Sequence, residues 1–443
     1  MILLIAARTE LGPGAALRSG TARERLFAFF ATEVLAGMST ADAQALMCIA
    51  FLPSATAAMA VAVSGDARAG DLLAELTRRS LFTECREGTV AAYTFHALFS
   101  EFLRTRAADT MAAPALRALR VQAADVLTAH GQGDAAIALL LAAEAWPEAL
   151  QRIDAQGAGL VTQGRTALLR DAILAVPEPA RDVAQAWYWL GHCSLAFDPA
   201  QALIQLEQAC DGYQAAGDAG GAFCTAAAAA DAIVFMGASL QPVQRWLPLL
   251  EAHAGSYLAQ RDDETDLRVL PGLLAAFVHC ATAHALTAPI ADRAERLLDQ
   301  PLGASQRILL GTLAYYLLWT GQTARLDRVL LKVDRMCAGV DAAPATLLRW
   351  YSASVMIRSL RGQVDEALAH ARQALAVTHD GPAPMRGRAH LLLVLAALAA
   401  RNAALARLHL AESAALLELH NASDSTIYEF QRGMLMLLDG DWT

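Results

Sequence analysis

Beyond about residue 181, the chain repeats turn residues at regular intervals between apolar segments of helical periodicity. The turns fall at Asp198, Gly237, Gly321, Gly362, Asn402 and Gly440. The steps between them are 39, 84, 41, 40 and 38 residues, and the step of 84 corresponds to two units of 42. A period of about 40 residues predicts helical hairpins that stack into a solenoid, because one hairpin alone cannot bury its apolar face.

One of these units resembles a known helical-hairpin motif. The segment Trp187-x-x-Leu190-Gly191 matches the opening of the tetratricopeptide (TPR) pattern. The positions that fit its second helix are Ala202, Leu206 and Ala209. Two features depart from the pattern, since Ser194 stands where an aromatic residue is expected and the period exceeds the roughly 34 residues of a standard TPR. We therefore expect a TPR-like superhelix over residues 181–443, incomplete at its C-terminal end.

The N-terminal part combines helical segments with one extended pair. Residues 81–85 and 90–95 are short extended segments on either side of a turn that contains glycine, which predicts a β-hairpin. A helical segment follows at 96–106. The predicted helices before the hairpin are Glu24–Met38, Thr40–Phe51, Ala55–Val63 and Asp71–Ser80. This order predicts a winged-helix domain at residues 21–110.

The fold class follows from these two parts. We expect a mainly α protein, in which a winged-helix domain with one small β-hairpin is followed by an α-superhelical TPR-like solenoid. Residues 111–180 contain only helical segments. They are predicted to connect the two parts or to begin the superhelix.

The basic residues exclude one class of nucleotide site. Among 35 basic residues, Lys332 is the single lysine, and it lies in a Leu-Leu-Lys-Val segment without glycine. A P-loop needs a lysine directly after a glycine, because this lysine reaches the phosphates. The given sequence therefore contains no complete Walker-type ATPase site. The net charge of −9 also disfavours nonspecific nucleic-acid binding by the chain as a whole.

Three patterns indicate the compartment. The longest apolar run, residues 391–400, is much shorter than the roughly 20 residues that span a bilayer. The seven cysteines include no Cys-x-x-Cys pair, and their odd number argues against a closed disulfide framework. The first residues are apolar but lack the basic region of a signal peptide. We therefore expect a cytoplasmic protein without a membrane partner.

Three stretches of the N-terminal part resemble one family. They are residues 26–35, 71–82 and 93–104, and the last contains a His-x-Leu-Phe…Phe-Leu motif that begins at His96. Together they resemble the maltose-regulator (MalT-like) class of STAND signal-transduction ATPases. Residues 133–150 are similar to the superhelical sensor region of that class.

The resemblance implies further domains in a parent protein. Proteins of this class carry an upstream nucleotide-binding domain with Walker motifs. They usually carry a downstream output domain, often a DNA-binding helix-turn-helix of the LuxR family. A helical domain normally precedes the winged helix, and residues 1–20 are expected to be its tail. We therefore expect an internal fragment or a truncated gene product, with no cofactor of its own and with ATP or ADP bound in the parent protein.

His96 is the strongest candidate for a residue of a functional site. By resemblance, it corresponds to the histidine that reaches the β-phosphate of bound ADP in the parent protein. A neutral imidazole at a helix N-terminus can donate to an anion, which the helix dipole also favours. The alternative is that His96 only closes the hairpin through a backbone hydrogen bond.

Aromatic residues concentrate in the predicted first helices of the repeats. In TPR-like arrays these helices line the concave surface, where aromatic side chains suit sugars, peptides or other small effectors. The predicted ligand or partner surface contains Tyr188, Trp189, Tyr315, Tyr316, Trp319, Trp350 and Tyr351. The alternative for several of them, and our expectation for Trp187, is packing between helices.

Other conspicuous residues are predicted to be structural. His279 and His284 lie five residues apart on one predicted helix, hence roughly 140° apart around its axis, which disfavours a shared metal ion. His192 is expected in the core. The expected core stripe after the hairpin is Phe99, Phe102 and Leu103. The residues expected to form a solvated or domain-contact face, rather than a DNA site, are Arg78, Arg79, Arg104 and Arg106.

Three functional classes follow from these patterns. The first is a regulatory module, in which an effector or partner binds the superhelix and shifts the winged helix relative to the nucleotide-binding domain of the parent protein. The second is a stand-alone TPR-like scaffold for protein–protein interaction. The third is an all-α enzyme, although the sequence contains no catalytic motif to support it. Contact with DNA is expected only through an output domain.

Overall fold

The computed structural model describes residues 26–88, 90–195, 198–236, 241–260, 263–300, 304–339, 342–417 and 422–440. The chain divides into two compact units, Met1–Ile153 and Asp154–Thr443. The predicted tail at residues 1–20 and the predicted turn at Gly237 lie outside the described residues. Among the described helices, none has the length and apolar character that crossing a bilayer requires.

Unit 1 consists of helices around a small sheet. Its elements in chain order are α1 (Phe30–Leu35, a π-helical turn), α2 (Thr40–Ile49), β1 (Ala55–Thr56), α3 (Ala57–Ser64), α4 (Ala69–Arg78), β2 (Thr83–Arg86), β3 (Ala92–Phe95), α5 (Ala97–Thr110), α6 (Ala113–Ala129), α7 (Gly133–Ala142) and the first part of α8 (Trp146–Thr162). The predicted segments therefore occur in the predicted order, with small differences at their ends.

The sheet has one strand more than the predicted hairpin. β2 and β3 form the hairpin, with Thr83 opposite Phe95. β1 pairs antiparallel with the other edge of β3, so the strand order is β1-β3-β2. The helix predicted to begin at residue 55 is therefore shorter. Thr56 is extended, and its hydroxyl accepts a hydrogen bond from the Met59 N–H at 3.2 Å, which caps α3.

Two apolar clusters form the core of unit 1. One is built by α2, α3 and α4 together with α6 and α7, and it contains Met59 and Leu73. The other is rich in aromatic rings and contains Phe30 beside the predicted stripe. That stripe is confirmed, because Phe99, Phe102 and Leu103 are at most 5% exposed. The winged helix thus shares its core with α6 and α7, which the sequence assigned to a connector.

Unit 2 contains only helices within its described residues. After the end of α8 they are α9 (Thr166–Leu174), α10 (Glu178–Arg181), α11 (Ala184–Ser194), α12 (Pro199–Ala215), α13 (Ala219–Met236), α14 (Val243–Ala259), α15 (Asp263–Cys280), α16 (Thr287–Leu297), α17 (Ala304–Leu309), α18 (Leu313–Trp319), α19 (Thr323–Gly339), α20 (Pro344–Leu360), α21 (Val364–Val377), α22 (Ala383–Ala399), α23 (Ala403–Leu416) and α24 (Ala422–Asp439). The mainly α class, with a small sheet confined to the N-terminal part, is confirmed.

The helices of unit 2 alternate between two layers. The first helices of successive pairs are α11, α13, α15, α17 with α18, α20, α22 and α24. From α13 onward each first helix packs against the next one, as α13 does with α15 and α20 with α22. The second helices pack against their own first helices, as α12 does with α11 and α23 with α22. This alternation is typical of a helical solenoid. Helices α20, α22 and α24 begin at residues 344, 383 and 422, hence 39 residues apart.

The predicted turn residues lie between paired helices. Gly321 and Gly362 have φ angles of +70° and +71°, a left-handed conformation that glycine adopts without steric cost. Asp198 and Asn402 instead cap the helices that follow them. Their side-chain oxygens accept hydrogen bonds from the backbone N–H three residues later, at 2.9 and 3.0 Å. The turns thus stop one helix and start the next.

Small residues set the distance between neighbouring helices. A Cβ atom at Gly191 of α11 would lie 2.8 Å from the Leu206 side chain of α12. At Gly272 of α15, a Cβ would lie only 2.0 Å from the carbonyl oxygen of Ala227 on α13. The backbones of α13 and α15 therefore meet with no room for a side chain at this point.

Replacement of Gly272 by alanine tests this close contact. The added methyl group forces the backbones of α13 and α15 apart, so Gly272→Ala should lower the free energy of unfolding by about 1–3 kcal/mol. Gly255 is the matched control, because it lies within α14 and a Cβ there would meet nothing within 4 Å. Gly255→Ala should stabilise the protein by roughly 0.5–1 kcal/mol. Chemical denaturation followed by circular dichroism measures both, and equal effects would contradict the close contact.

Candidate functional site

His96 lies at the junction between the hairpin and a long helix. It is the N-cap residue of α5, and its side chain is exposed and caps no backbone group of the helix. Its backbone N–H donates to the carbonyl oxygen of Phe82 at 2.8 Å, and its own carbonyl oxygen accepts from the Ser100 N–H at 2.9 Å. The backbone of His96 thus closes the hairpin and starts α5, while the imidazole faces solvent beside the N–H groups of the first turn.

The residue that accepts this hydrogen bond has an unusual backbone conformation. Phe82 has a φ of +53°, which a bulky residue adopts only when its surroundings hold it there. Its ring packs against Phe30 and Phe99, with centroid distances of 4.9 and 5.9 Å. The aromatic cluster of unit 1 therefore holds the backbone that positions His96.

The four arginines of the predicted basic face are all exposed. They are Arg78 and Arg79 at the end of α4 and Arg104 and Arg106 on α5. Arg78 forms an ion pair with Glu75 at 2.5 Å, one turn earlier on α4. An ion pair this exposed contributes little to stability, so these side chains remain available to solvent or to another domain.

Most of the aromatic residues predicted to form a ligand surface are buried. The buried ones are Tyr188, Trp189, Tyr316, Trp350 and Tyr351. Two of them also make buried polar contacts, since Trp189 Nε1 donates to Asp154 at 2.6 Å and Trp350 Nε1 donates to Asp334 at 2.9 Å. Large rings fill the space between alanine-rich helices, which corrects the expectation that these five line an open surface. Trp187 is half-buried, and its Nε1 donates to Asp182 at 2.9 Å.

The two remaining aromatic residues form a cluster with a histidine. Tyr315 and Trp319 of α18 stack with a centroid distance of 5.7 Å, and the His279 ring of α15 lies 5.4 and 5.1 Å from them. Trp319 is 49% exposed, whereas burial raises the pKa of the Tyr315 hydroxyl. Burial also lowers the pKa of His279 to about 4, so this imidazole is neutral at pH 7. The cluster offers an exposed indole face next to a half-buried neutral imidazole.

His279 does not share a helix with His284. α15 ends at Cys280, and His284 lies in the turn that follows, where its Nδ1 accepts from the Leu286 N–H at 3.2 Å. The prediction of one helix across both histidines is therefore wrong, because the chain turns after Cys280. Across the described ranges, no three histidine, cysteine or acidic side chains are grouped so that they could hold a metal ion.

The sequence did not predict the polar groups inside unit 2. Arg293 of α16 donates to Asp266 of α15 at 2.6 Å, and the Tyr257 hydroxyl of α14 donates to the same carboxylate. A second pair joins Asp231 of α13 to Arg349 of α20. Each partner comes from a distant part of the chain, so spacing along the sequence carries no signal for either group.

Acid should destabilise unit 2 through histidines whose pKa is lowered by burial in the fold. Burial lowers the pKa of His192 to about 4, whereas the unfolded chain has the ordinary value of 6.5. Between these values the unfolded chain binds a proton that the folded chain does not. The contribution of His192 to the free energy of unfolding therefore falls by on the order of 3 kcal/mol as the pH is lowered from about 6.5 to 4, and it is constant above about pH 7.

Denaturant unfolding between pH 4 and 7.5 measures this loss. His192→Gln removes one titrating group and should make the pH dependence less steep, while His279 and His370, whose pKa is also lowered by burial, retain part of it. His379 is the matched control, because its side chain is 84% exposed. His379→Gln should leave the pH dependence unchanged. An identical slope in the native protein and in His192→Gln would contradict the assignment.

Comparison with known proteins bears on unit 1. Residues 31–115 match the family model of the MalT winged helix domain. The matched range covers nearly all of α1, the three strands and α5, and it includes His96. A search of curated proteins finds no match to the chain. The segment 31–115 is thus a winged helix domain similar to that of MalT, which supports a MalT-like relation for this part of the chain.

Proposed function

We propose that the chain is the regulatory and sensor module of a MalT-like STAND transcriptional regulator. The observation that carries this proposal is the match of residues 31–115 to the MalT winged helix domain, together with the exposed imidazole of His96 at the start of α5. The helical array that follows the matched range fits a sensor region. In this proposal the chain is not an enzyme and holds no cofactor of its own.

His96 would act on a nucleotide held by another domain of the parent protein. Its exposed imidazole belongs to the N-cap residue of α5, a helix of 14 residues, and the first backbone N–H groups of a helix have no partner within the helix. Such a helix end favours an anion, and a neutral imidazole adds one more donor. In the parent protein, these groups would contact the phosphate of ADP and stabilise the inactive arrangement.

Unit 2 would detect the effector. An effector that binds one conformation of the helical array more tightly than another shifts the population toward that conformation. The winged helix would then leave the nucleotide-binding domain, and exchange of ADP for ATP and self-association would follow in the parent protein. Contact with DNA would require an output domain, and the expected compartment is the cytoplasm.

A stand-alone interaction scaffold is the second candidate. It is favoured by the exposed apolar side chains of α24, where Phe430, Met434 and Leu437 recur at helical spacing and Phe430 is 64% exposed. The two candidates differ in the gene that encodes the chain. A Gly-x4-Gly-Lys-Ser/Thr motif in the same reading frame upstream supports the regulator, and a stop codon there supports the scaffold.

Nucleotide retention tests the role of His96. The protein that includes the nucleotide-binding domain is purified, and its bound ADP is released and quantified by chromatography. His96→Ala should retain several-fold less ADP than the native protein, because a phosphate contact on the order of 1–3 kcal/mol is lost. Asp109→Asn is the matched control, since Asp109 is also exposed on α5 but lies near the opposite end of the helix from His96. Equal ADP retention in the native protein and His96→Ala would remove the proposed phosphate contact.

A further inference from the structure

Two histidines of unit 2 contact each other across one helical pair. His390 lies on α22 and His409 on α23, and their Nδ1 atoms are 2.9 Å apart. The ring centroids are 5.1 Å apart, and the ring planes are inclined to each other by 40°. Both side chains are only half-buried, so solvent and dissolved ions reach them. The proposed role of unit 2 as a sensor uses neither residue.

The packing of α22 against α23 fixes the backbone behind both rings. Each histidine directly precedes a leucine of the core cluster that joins the two helices, Leu391 on α22 and Leu410 on α23. These leucines are 3% and 6% exposed. Side chains on well-packed helices are held more precisely than side chains on loops. The fold therefore keeps the two Nδ1 atoms close together.

The separation of the Nδ1 atoms matches two adjacent ligands of one metal ion. Imidazole nitrogens bind divalent transition metals at about 2.0–2.1 Å. Two such ligands at a right angle are then about 2.8–3.0 Å apart, whereas two ligands of a tetrahedral ion are about 3.3–3.4 Å apart. The observed 2.9 Å between His390 and His409 fits the right angle. Square-planar or tetragonal sites of this kind are typical of Cu²⁺ and Ni²⁺.

Both imidazoles are also in the protonation state that a metal ion needs, because only neutral histidine offers a lone pair. Burial lowers the pKa of His390 and of His409, and the neighbouring His409 lowers that of His390 further. Glu412, one turn after His409, raises both pKa values, and Arg386, one turn before His390, lowers that of His390. These two neighbours carry opposite charges, so together they do not repel a cation.

A hydrogen bond between the two rings is the alternative to a bound ion. In that arrangement the Nδ1–H of one imidazole donates to the Nδ1 of the other. A metal ion can replace this hydrogen bond when the donating imidazole carries its proton on Nε2 instead. Both tautomers are neutral, so the exchange releases no proton and frees the lone pairs of both Nδ1 atoms.

We propose that His390 and His409 form a binding site for a divalent transition metal ion, Cu²⁺ or Ni²⁺, with both Nδ1 atoms as ligands. Across the described ranges no third histidine, cysteine or acidic side chain completes such a group, so water takes the remaining positions. The ion joins the two helices of one pair and stabilises the folded array. The site is independent of the proposed function, which its failure would leave untouched.

Calorimetric titration with Ni²⁺ tests the site on the full chain, without an affinity tag, at pH 7.5 after treatment with a chelator. Ni²⁺ is the probe because Cu²⁺ would oxidise the free cysteines. We expect saturable binding of one ion per chain. Ni²⁺ should also raise the temperature of unfolding, whereas Mg²⁺, which prefers oxygen ligands, should not.

Two single substitutions locate the ion. His390→Gln and His409→Gln each remove one ligand and keep a polar side chain at the half-buried position. Each should weaken Ni²⁺ binding by about tenfold or more, because even an outer partner of a metal ligand is worth about 10–100-fold in affinity. Circular dichroism without metal checks the fold of each variant, and either variant alone decides the test. His379→Gln is the matched control, since its side chain is 84% exposed, and it should bind like the native protein.

Three results would overturn the proposal. The absence of saturable Ni²⁺ binding to the native protein would leave the two rings as a hydrogen-bonded pair only. Equal binding by the native protein, His390→Gln and His409→Gln would assign the ion to other histidines or to cysteines. Tighter binding of Zn²⁺ than of Ni²⁺ would contradict the right-angle geometry, because Zn²⁺ prefers tetrahedral ligands.

Discussion

Close packing of small residues is the constraint on which unit 2 depends. Where α13 meets α15, the backbone at Ala227 leaves no space for a side chain at Gly272. Contacts of this kind bring many atoms within van der Waals distance and fix the rotation of each helix against the next. The orientation of each helical pair is therefore set by the pairs that pack against it. In the same unit, Asp231 of α13 and Arg349 of α20 form an ion pair between helices from distant parts of the chain.

The sequence predicted the features that depend on neighbouring residues. Turn residues such as Gly362 and Asn402 act on adjacent backbone groups, so their spacing indicated the helical pairs. The hairpin and the stripe that contains Phe99 have the same local origin. Strand β1 was missed because it has only two residues and its partner lies almost forty residues later, opposite Tyr93. A run of Ala-Thr-Ala-Ala carries no strand periodicity of its own.

The candidate sites also differ in how far the sequence could predict them. The exposure of His96 follows from its place at a helix N-terminus, which the sequence motif already indicated. The aromatic surface did not follow, because a tryptophan that repeats at helical spacing can face either a ligand or another helix. Trp350 illustrates the second case, since it is 1% exposed and donates to Asp334. The buried ion pairs of unit 2, such as Arg293 with Asp266, depend on three-dimensional proximity, so no spacing in the sequence indicates them.

The ion pair between Asp231 of α13 and Arg349 of α20 changes how unit 2 responds to local unfolding or to a destabilising substitution. Repeat arrays usually unfold as a sum of local events, because each unit interacts only with the next. Here the two partners are 118 positions apart, so their contact requires every intervening helix pair to be in place. A defect anywhere between α13 and α20 therefore breaks the pair and exposes two buried charges at once. This part of the array gains the all-or-none cooperativity of a globular domain, while α21 to α24 keep the independence of ordinary repeats.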